Sequence, residues 1–283
     1  MLRFYVEVAR TAFRRQLIYR WANLAGLVTN IFWGIIISYV MIALFHARPS
    51  VGGFNVSDTL SYVWVVQAMI MIVLPFGWYD LMLTIRSGEV VTDLSKPCDF
   101  CWYWFSREIG RDCYYLLFRG MPTYAAGMLL FGFGPGGDWK RWFAYAVSLP
   151  LGAVLGIACR FLYNIVAFWI VEARAMAVLV ATIALFFSGS YIPLPFLPPW
   201  LHALAVWSPF NGLLNVPAEV FLGKLTGGPL LFELARQIAW IIILVIAVRA
   251  VTAIAARRVE VQGGSNNFLI LFRTGKSHAV YAL

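Results

Sequence analysis

The chain alternates long apolar stretches with short polar connections, a pattern that predicts membrane-spanning helices. A helix that crosses the hydrocarbon core needs about 20 mostly apolar residues, and six stretches meet or approach that length. They are residues 24–45, 60–78, 114–133, 142–171, 175–190 and 230–255. The pattern therefore predicts an all-α integral membrane protein with six transmembrane helices.

The first 20 residues have a different periodicity, with an apolar stripe beside a charged stripe at helical spacing. The apolar stripe consists of Leu2, Val6, Ala9, Phe13 and Leu17, and the charged stripe of Arg3, Glu7, Arg10 and Arg14. A basic amphipathic helix of this kind lies in the headgroup plane of a membrane. We expect residues 1–20 to form such an interfacial helix; a simple extension of the first span is the alternative.

Prolines rule out a continuous helix between the fifth and sixth spans. The prolines in question include Pro193, Pro195, Pro198, Pro199 and Pro209. Irregular backbone persists at membrane depth only when it is buried in protein or lines a wet cavity. We expect residues 189–228 to form two short re-entrant or interfacial helices that cap the outer mouth of a pathway. The gate residues would be Tyr191, Ile192, Pro193, Pro209 and Phe210. An aromatic interfacial belt without a gating role is the alternative.

The connection at residues 84–112 mixes acidic with basic side chains and is the longest on its side of the membrane. Gly88 and Pro97 bracket a segment that can form a short helix near residues 89–94. A short helix held at the membrane surface is an element on which a soluble partner protein can exert force.

Composition and charge support the membrane assignment. Only 12% of the 283 residues are charged, against roughly a quarter in soluble domains, so the sequence excludes a soluble monomer. The net charge of +9 would otherwise suggest nucleic-acid binding, which we do not expect here. Fifteen Lys and Arg residues fall on the side of the termini, and only Arg48, Lys140, Arg141 and Lys224 fall on the other. Basic residues collect in cytoplasmic loops, so we expect both termini to be cytoplasmic.

The cysteines offer little chemistry. Cys98 and Cys101 form a C-x-x-C pair, but no second pair and no nearby His completes a zinc site. We therefore predict no metal site.

Five charged residues fall within the predicted spans, and four of them are candidates for function: Arg119, Arg160, Glu233 and Arg236. Such charges are costly at membrane depth and suggest function by default. Glu233 and Arg236 can pair on one helix face, either as a structural lock or as part of the pathway. Arg160 either faces the pathway or approaches the cytoplasmic surface, and we expect Arg119 to extend to the inner headgroups.

The fourth span contains a G-x-x-x-G motif at Gly152 and Gly156. The motif permits close helix approach but is common by chance in apolar helices. A dimer contact and a chance occurrence both remain open.

Two segments resemble the membrane subunits, or permeases, of type-2 ABC exporters. The first is IRSGE at residues 85–89, followed by LSKP. The second is SGSYIPL at residues 188–194, followed by Ser208-Pro209-Phe210, Pro217 and Leu222-Gly223. The chain looks most like the viologen-exporter-like permeases, over residues 1–262. The tail at residues 263–283 fits nothing in the family pattern, and we assign it no role.

The resemblance implies a permease that dimerises with a second copy or a related permease and docks cytoplasmic ATPase subunits. The docking residues carried over from the family's coupling element are Ser87, Gly88, Glu89, Val90, Val91, Leu94, Lys96 and Pro97. The sequence contains no G-x-x-x-x-G-K-[ST] phosphate loop. ATP and Mg²⁺ would therefore belong to the partner chain, with no cofactor on this one, and the exported substrate would be hydrophobic or amphiphilic. The resemblance places the chain in a bacterial inner membrane.

Two other function classes remain open. A membrane-embedded enzyme acting on lipid would need His, Asp or Glu clustered at a membrane face, and the only acidic cluster lies within residues 84–112. An ion-coupled secondary transporter would have internal repeats and midplane carboxylates, and the sequence shows no repeat.

Overall fold

A computed structural model describes residues 1–47, 50–73, 78–134, 137, 139–170 and 173–257. The tail at residues 263–283 lies outside the described residues. Within them the chain is helical, apart from a single β-bridge between Val51 and Phe54. The α-helices are α1 Leu2–Ile18, α2 Arg20–Ala47, α3 Val56–Val73, α4 Asp80–Arg86, α5 Val90–Ser95, α6 Phe100–Tyr115, α7 Met121–Phe131, α8 Trp139–Ile165, α9 Ala173–Phe187, α10 Pro199–Trp207, α11 Asn215–Leu222 and α12 Gly227–Ala256.

The predicted N-terminal helix is a separate element, since α1 ends before Tyr19 and α2 begins at Arg20. The Asn23 side chain fixes the junction by donating to the Gln16 carbonyl at 2.9 Å. α1 packs along α6: the Phe13 and Tyr114 rings are 5.6 Å apart, and a Cβ on Gly110 would lie 1.9 Å from the Ala9 carbonyl oxygen.

Four described helices are long and apolar enough to cross a membrane: α2, α3, α8 with its 3₁₀ extension to Phe168, and α12. This confirms an all-α membrane protein. The predicted fifth span corresponds to α9, which has 15 residues. The predicted third span lies in a run of consecutive helices in which a π-helix, Leu116–Gly120, joins α6 to α7. This run begins at Phe100, so residues 100–112 of the expected connection are helical. The count of six spans stays a prediction.

α3 lies at the centre of the bundle, with 78% of its apolar window buried, against 22% for α2 and 11% for α12. The glycines of the G-x-x-x-G motif serve contacts within the chain. A Cβ on Gly156 would lie 2.2 Å from the Val73 carbonyl oxygen of α3, and a Cβ on Gly152 would lie 2.7 Å from the Leu213 carbonyl oxygen. We call the end of the bundle that carries α1, α4 and α5 the inner end, and the end that carries residues 189–228 the outer end.

The proline-rich segment contains two short α-helices, and their re-entrant or interfacial placement stays a prediction. They are α10 and α11, and two 3₁₀ turns accompany them, Leu194–Phe196 and Pro209–Gly212. Leu213, Leu214 and Ala218 are buried in the main core around α3. The segment therefore packs into the bundle.

Candidate functional site

The predicted docking element is a short helix, α5, that follows a tight turn. Gly88 has a φ of +79°, a left-handed conformation that glycine adopts without a steric penalty. Ser87, Gly88 and Glu89 are all exposed, as is Pro97 beyond the helix. The turn and the start of α5 thus form an exposed polar edge at the inner end.

Two apolar side chains anchor α5 to the bundle. Val90 and Leu94 lie one helical turn apart and are only 3% and 8% exposed. They pack into the inner core cluster, which also contains Trp78, Leu81 and Trp104. Full burial of a side chain of this size contributes about 1.5–3 kcal/mol, so α5 is held by one face while its other face stays accessible.

The end of α5 carries an ion pair, Lys96 Nζ to Asp93 Oδ1 at 2.6 Å. Burial lowers the pKa of Lys96, but hydrogen bonds and charge interactions with Asp93 and Tyr103 together outweigh it, so the pKa is raised overall. Lys96 is therefore firmly cationic beside the exposed edge. Val91, the remaining predicted docking residue, is half-buried.

A buried charge cluster lies where α6 meets α8. Arg160 Nη2 is 2.8 Å from Asp112 Oδ2, and Arg160 Nε is 3.3 Å from Glu108 Oε2. Arg111 pairs with Glu108 and lies 3.5 Å from Asp112. Two arginines and two carboxylates give the cluster no net charge. Buried ions require partners of this kind, because their desolvation is otherwise too costly.

Arg160 also closes the inner end of α3. Its Nη1 donates to the carbonyls of Ile72 at 3.0 Å and Val73 at 2.7 Å. These are among the last carbonyls of α3, which have no partner within the helix. One turn further along α8, the Asn164 side chain accepts from the Met82 backbone N–H at 3.1 Å. Arg160 is fully buried, and its geometry ties α3, α6 and α8 together.

Glu108 and Asp112 fall within the connection predicted at residues 84–112, and the sequence pattern gives them no other role. One signal could have revealed the cluster, because Glu108, Arg111 and Asp112 fall at i, i+3 and i+4 and so share a face if the segment is helical. Finding their partner required the packing of α8.

Arg119 is packed inside the bundle, and its extension to the inner headgroups stays a prediction. Its side chain is only 6% exposed, and its guanidinium lies 5.3 Å from the Tyr115 ring centroid. A Cβ on Gly26 would be 2.3 Å from Arg119 Nη2, so the guanidinium fills the space beside that glycine. The residue lies in the π-helix Leu116–Gly120, whose extra residue per turn changes the direction of side chains relative to an α-helix.

The expected pair between Glu233 and Arg236 is present, and a polar network extends from it. Asn211 donates to Glu233 at 3.4 Å, and Asn215 donates to Asn211 Oδ1 at 2.9 Å. The Tyr62 hydroxyl of α3 lies 2.9 Å from Asn215 Oδ1. The network connects α3, residues 209–222 and α12 near the outer end of the bundle.

The five predicted gate residues do not share one environment. Tyr191 and Ile192 are exposed, whereas Pro193 is buried. Pro209 and Phe210 are half-buried, and Phe210 packs against the main core beside Asn211. The structure therefore separates an exposed pair from a packed pair next to the polar network.

The cysteines form no cluster with other metal ligands. The part of the chain that the structure describes contains no group of three or more His, Cys, Asp or Glu side chains that could hold a metal ion. All four cysteines are free thiols, and Cys101 Sγ lies 3.6 Å from Thr252 Oγ1.

A family model described as "ABC-2 family transporter protein" matches residues 30–263. No curated protein sequence matches the chain.

Proposed function

Because the chain belongs to the ABC-2 family of transporter proteins, we propose that it is the permease subunit of an ATP-binding-cassette exporter. The family's members are multi-pass membrane components of transport systems, and the four long apolar helices agree with that role. Hydrolysis of ATP, with its Mg²⁺, would take place on a separate ATPase subunit that docks on this chain.

The main observation behind the proposal is that α5 is anchored to the bundle by one face and exposed at the turn before it. Val90 and Leu94 fix one face of this six-residue helix in the inner core, while Ser87, Gly88 and Glu89 stay exposed. A partner that pushes on this edge moves a segment whose anchors lie among Trp78, Trp104 and Phe161 of the inner core. Force on α5 would therefore reach α6 and α8 directly.

The proposed orientation places α1, α5 and both termini in the cytoplasm of a bacterial cell, with six spans in the inner membrane. The support is the excess of Lys and Arg on this side of the predicted spans. In this orientation the outer end, with its polar network of Tyr62, Asn215, Asn211 and Glu233, faces the exit of the pathway.

The functional unit would be a dimer with a second copy of the chain or a related permease. Apolar side chains at Ile238, Ile242 and Ile246 form an exposed stripe along α12, which suits contact with lipid or with a second permease. The substrate class we propose is hydrophobic or amphiphilic, because the permease presents mostly apolar helices to the membrane. The intramembrane pair Glu233 and Arg236 would lie along the pathway or brace its outer end.

The test is to change the exposed edge of α5. We expect Glu89→Ala to lower ATP hydrolysis by the reconstituted complex and to weaken co-purification with ATP-binding-cassette ATPases encoded near this chain. Gly88→Pro should do the same more strongly, because proline fixes φ near −65° and cannot adopt the +79° found here. Thermal unfolding of the permease alone should be unchanged by Glu89→Ala.

The matched control is Asp58→Asn, which removes a carboxylate charge at the outer end, where Asp58 pairs with Lys224. It should leave docking and hydrolysis unchanged. If both α5 variants retain ATPase binding and hydrolysis at the control level, α5 is not the docking element.

A further inference from the structure

A cavity of about 440 Å³ opens between α1 and α6 at the inner end. α1 contributes one face of side chains, including Phe4, Val8 and Arg15, and α6 contributes Arg107 and Arg111. The position between a predicted interfacial helix and the bundle is the level at which lipid headgroups lie.

Two side chains of the lining, Arg111 and Trp78, carry N–H groups that have no acceptor among the described residues. Arg111 and Trp78 both line it and are only 5% and 7% exposed. Arg111 Nη2 bonds to Glu108 and lies 3.5 Å from Asp112, but its Nε and Nη1, and Trp78 Nε1, have no hydrogen-bond partner among the described residues. Buried polar groups are nearly always paired in folded proteins. These N–H groups are themselves buried, and the Arg111 guanidinium stacks 4.9 Å from the Trp78 ring centroid, so an acceptor in the cavity meets them only when the Arg111 side chain turns toward it.

The charges of the lining define the ligand further. Three cations, Arg15, Arg107 and Arg111, face three carboxylates from Glu7, Asp80 and Glu108. Arg107 and Asp80 are only loosely paired, at 3.8 Å. A balanced lining gives no net attraction for a purely anionic ligand, but it suits a molecule with both charges.

We propose that this cavity binds the headgroup of a zwitterionic phospholipid that carries a primary ammonium. The phosphate lies toward Arg15, Arg107 and Arg111, because arginine N–H groups and phosphate oxygens form charge-assisted pairs. The ammonium lies toward Glu7 and Asp80. The apolar side chains of Phe4 and Val8 contact the glycerol end of the lipid.

The lipid acts as a tie between α1 and the bundle. This inference rests on the membrane setting of the proposed function but not on ATPase docking, since the cavity is lined by α1, α6 and the start of α4. A separate cavity next to it, lined by Glu89 and Asp93, shares only Arg15, Asp80 and Arg107 with it.

The experiment measures lipid retention by the purified full-length chain with native mass spectrometry. The lipids are phosphatidylethanolamine, phosphatidylcholine and phosphatidylglycerol, and soluble phosphoethanolamine is the fourth probe. We expect phosphatidylethanolamine to bind most tightly. Arg15→Gln should weaken it about tenfold, the equivalent of one charge-assisted hydrogen bond of about 1.5 kcal/mol.

The matched control is Arg14→Gln, since Arg14 is the neighbouring exposed arginine of α1 and is outside the cavity lining. It should retain the lipid as the unchanged chain does. Thr11→Trp, which fills the cavity from an exposed position on α1, should abolish retention while leaving the melting temperature within a few degrees.

Three results would overturn the inference. Equal loss in Arg14→Gln and Arg15→Gln would mean that only surface charge matters. Tighter binding of phosphatidylglycerol would refute a zwitterionic site, and soluble phosphoethanolamine binding as well as the lipid would refute a lipid source. ATPase co-purification measured on Arg15→Gln keeps the two proposals apart, because loss of lipid with normal ATPase docking concerns this cavity alone.

Discussion

Replacing Arg160 by Met should strongly destabilise the chain, because the substitution removes the cation that faces two buried carboxylates. Arg160 is fully buried and contacts Asp112 at 2.8 Å and Glu108 at 3.3 Å. It also satisfies the Ile72 and Val73 carbonyls at the end of α3. Met fills a similar volume, so the change removes the charge and hydrogen bonds and leaves little cavity.

The expected loss follows from the charges that remain. Glu108, Arg111 and Asp112, all about 5% exposed, would carry a net charge of −1. Breaking a buried ion pair by removing one partner costs about 3–5 kcal/mol. Because the entropy of unfolding grows with chain length, each kcal/mol shifts the melting temperature of this 283-residue chain by about 2 °C, so a drop of about 6–10 °C is expected.

The assay is thermal unfolding of the purified chain in detergent, followed by tryptophan fluorescence. Arg160→Met combined with Asp112→Asn restores neutrality and should recover about 2 kcal/mol of the loss. The control, Arg249→Met, breaks the half-exposed pair with Asp99 and should cost less than about 1 kcal/mol. An unchanged melting temperature in Arg160→Met, together with lost transport, would refute the structural role. It would indicate instead that Arg160 lines the transport pathway.

Two further predictions concern close packing and the outer network. Gly156→Ala places a Cβ 2.2 Å from the Val73 carbonyl oxygen and should lower the free energy of unfolding by about 1–3 kcal/mol. Gly228→Ala should leave the free energy of unfolding unchanged, because a Cβ added there would meet no neighbouring group of the described residues within 4 Å. Equal effects in the two variants would contradict the packing argument. Arg236→Leu should reduce transport and assembly together, because it leaves Glu233 without its cation in the network with Asn211. A loss of transport in vesicles with normal assembly would instead indicate that Arg236 lines the pathway.

The sequence alone indicated most of the helical segments and several of their ends, although residues 100–112 were expected in a connection and are helical. The period of α1, the glycine before α5 and the prolines around α10 are short-range signals, since each acts through the backbone within a few residues. The pair between Glu233 and Arg236 was equally predictable, because three residues on one helix fix its geometry. The docking residues rest on the resemblance to type-2 ABC exporters and stay a prediction; the structure adds that Val90 and Leu94 anchor α5 in the inner core.

Only the tertiary structure decided what the remaining charges and small residues contact. Arg160 meets Asp112 across 48 positions of sequence, which depends on how α6 and α8 are rotated toward each other. The burial of Arg119 depends on a π-helix and on the absence of a Cβ at Gly26, and the G-x-x-x-G glycines face α3 and the Leu213 backbone within the same chain. The apolar pattern fixes which stretches become helices, but partners between helices depend on rotation and register, which are set by the packing of the whole bundle.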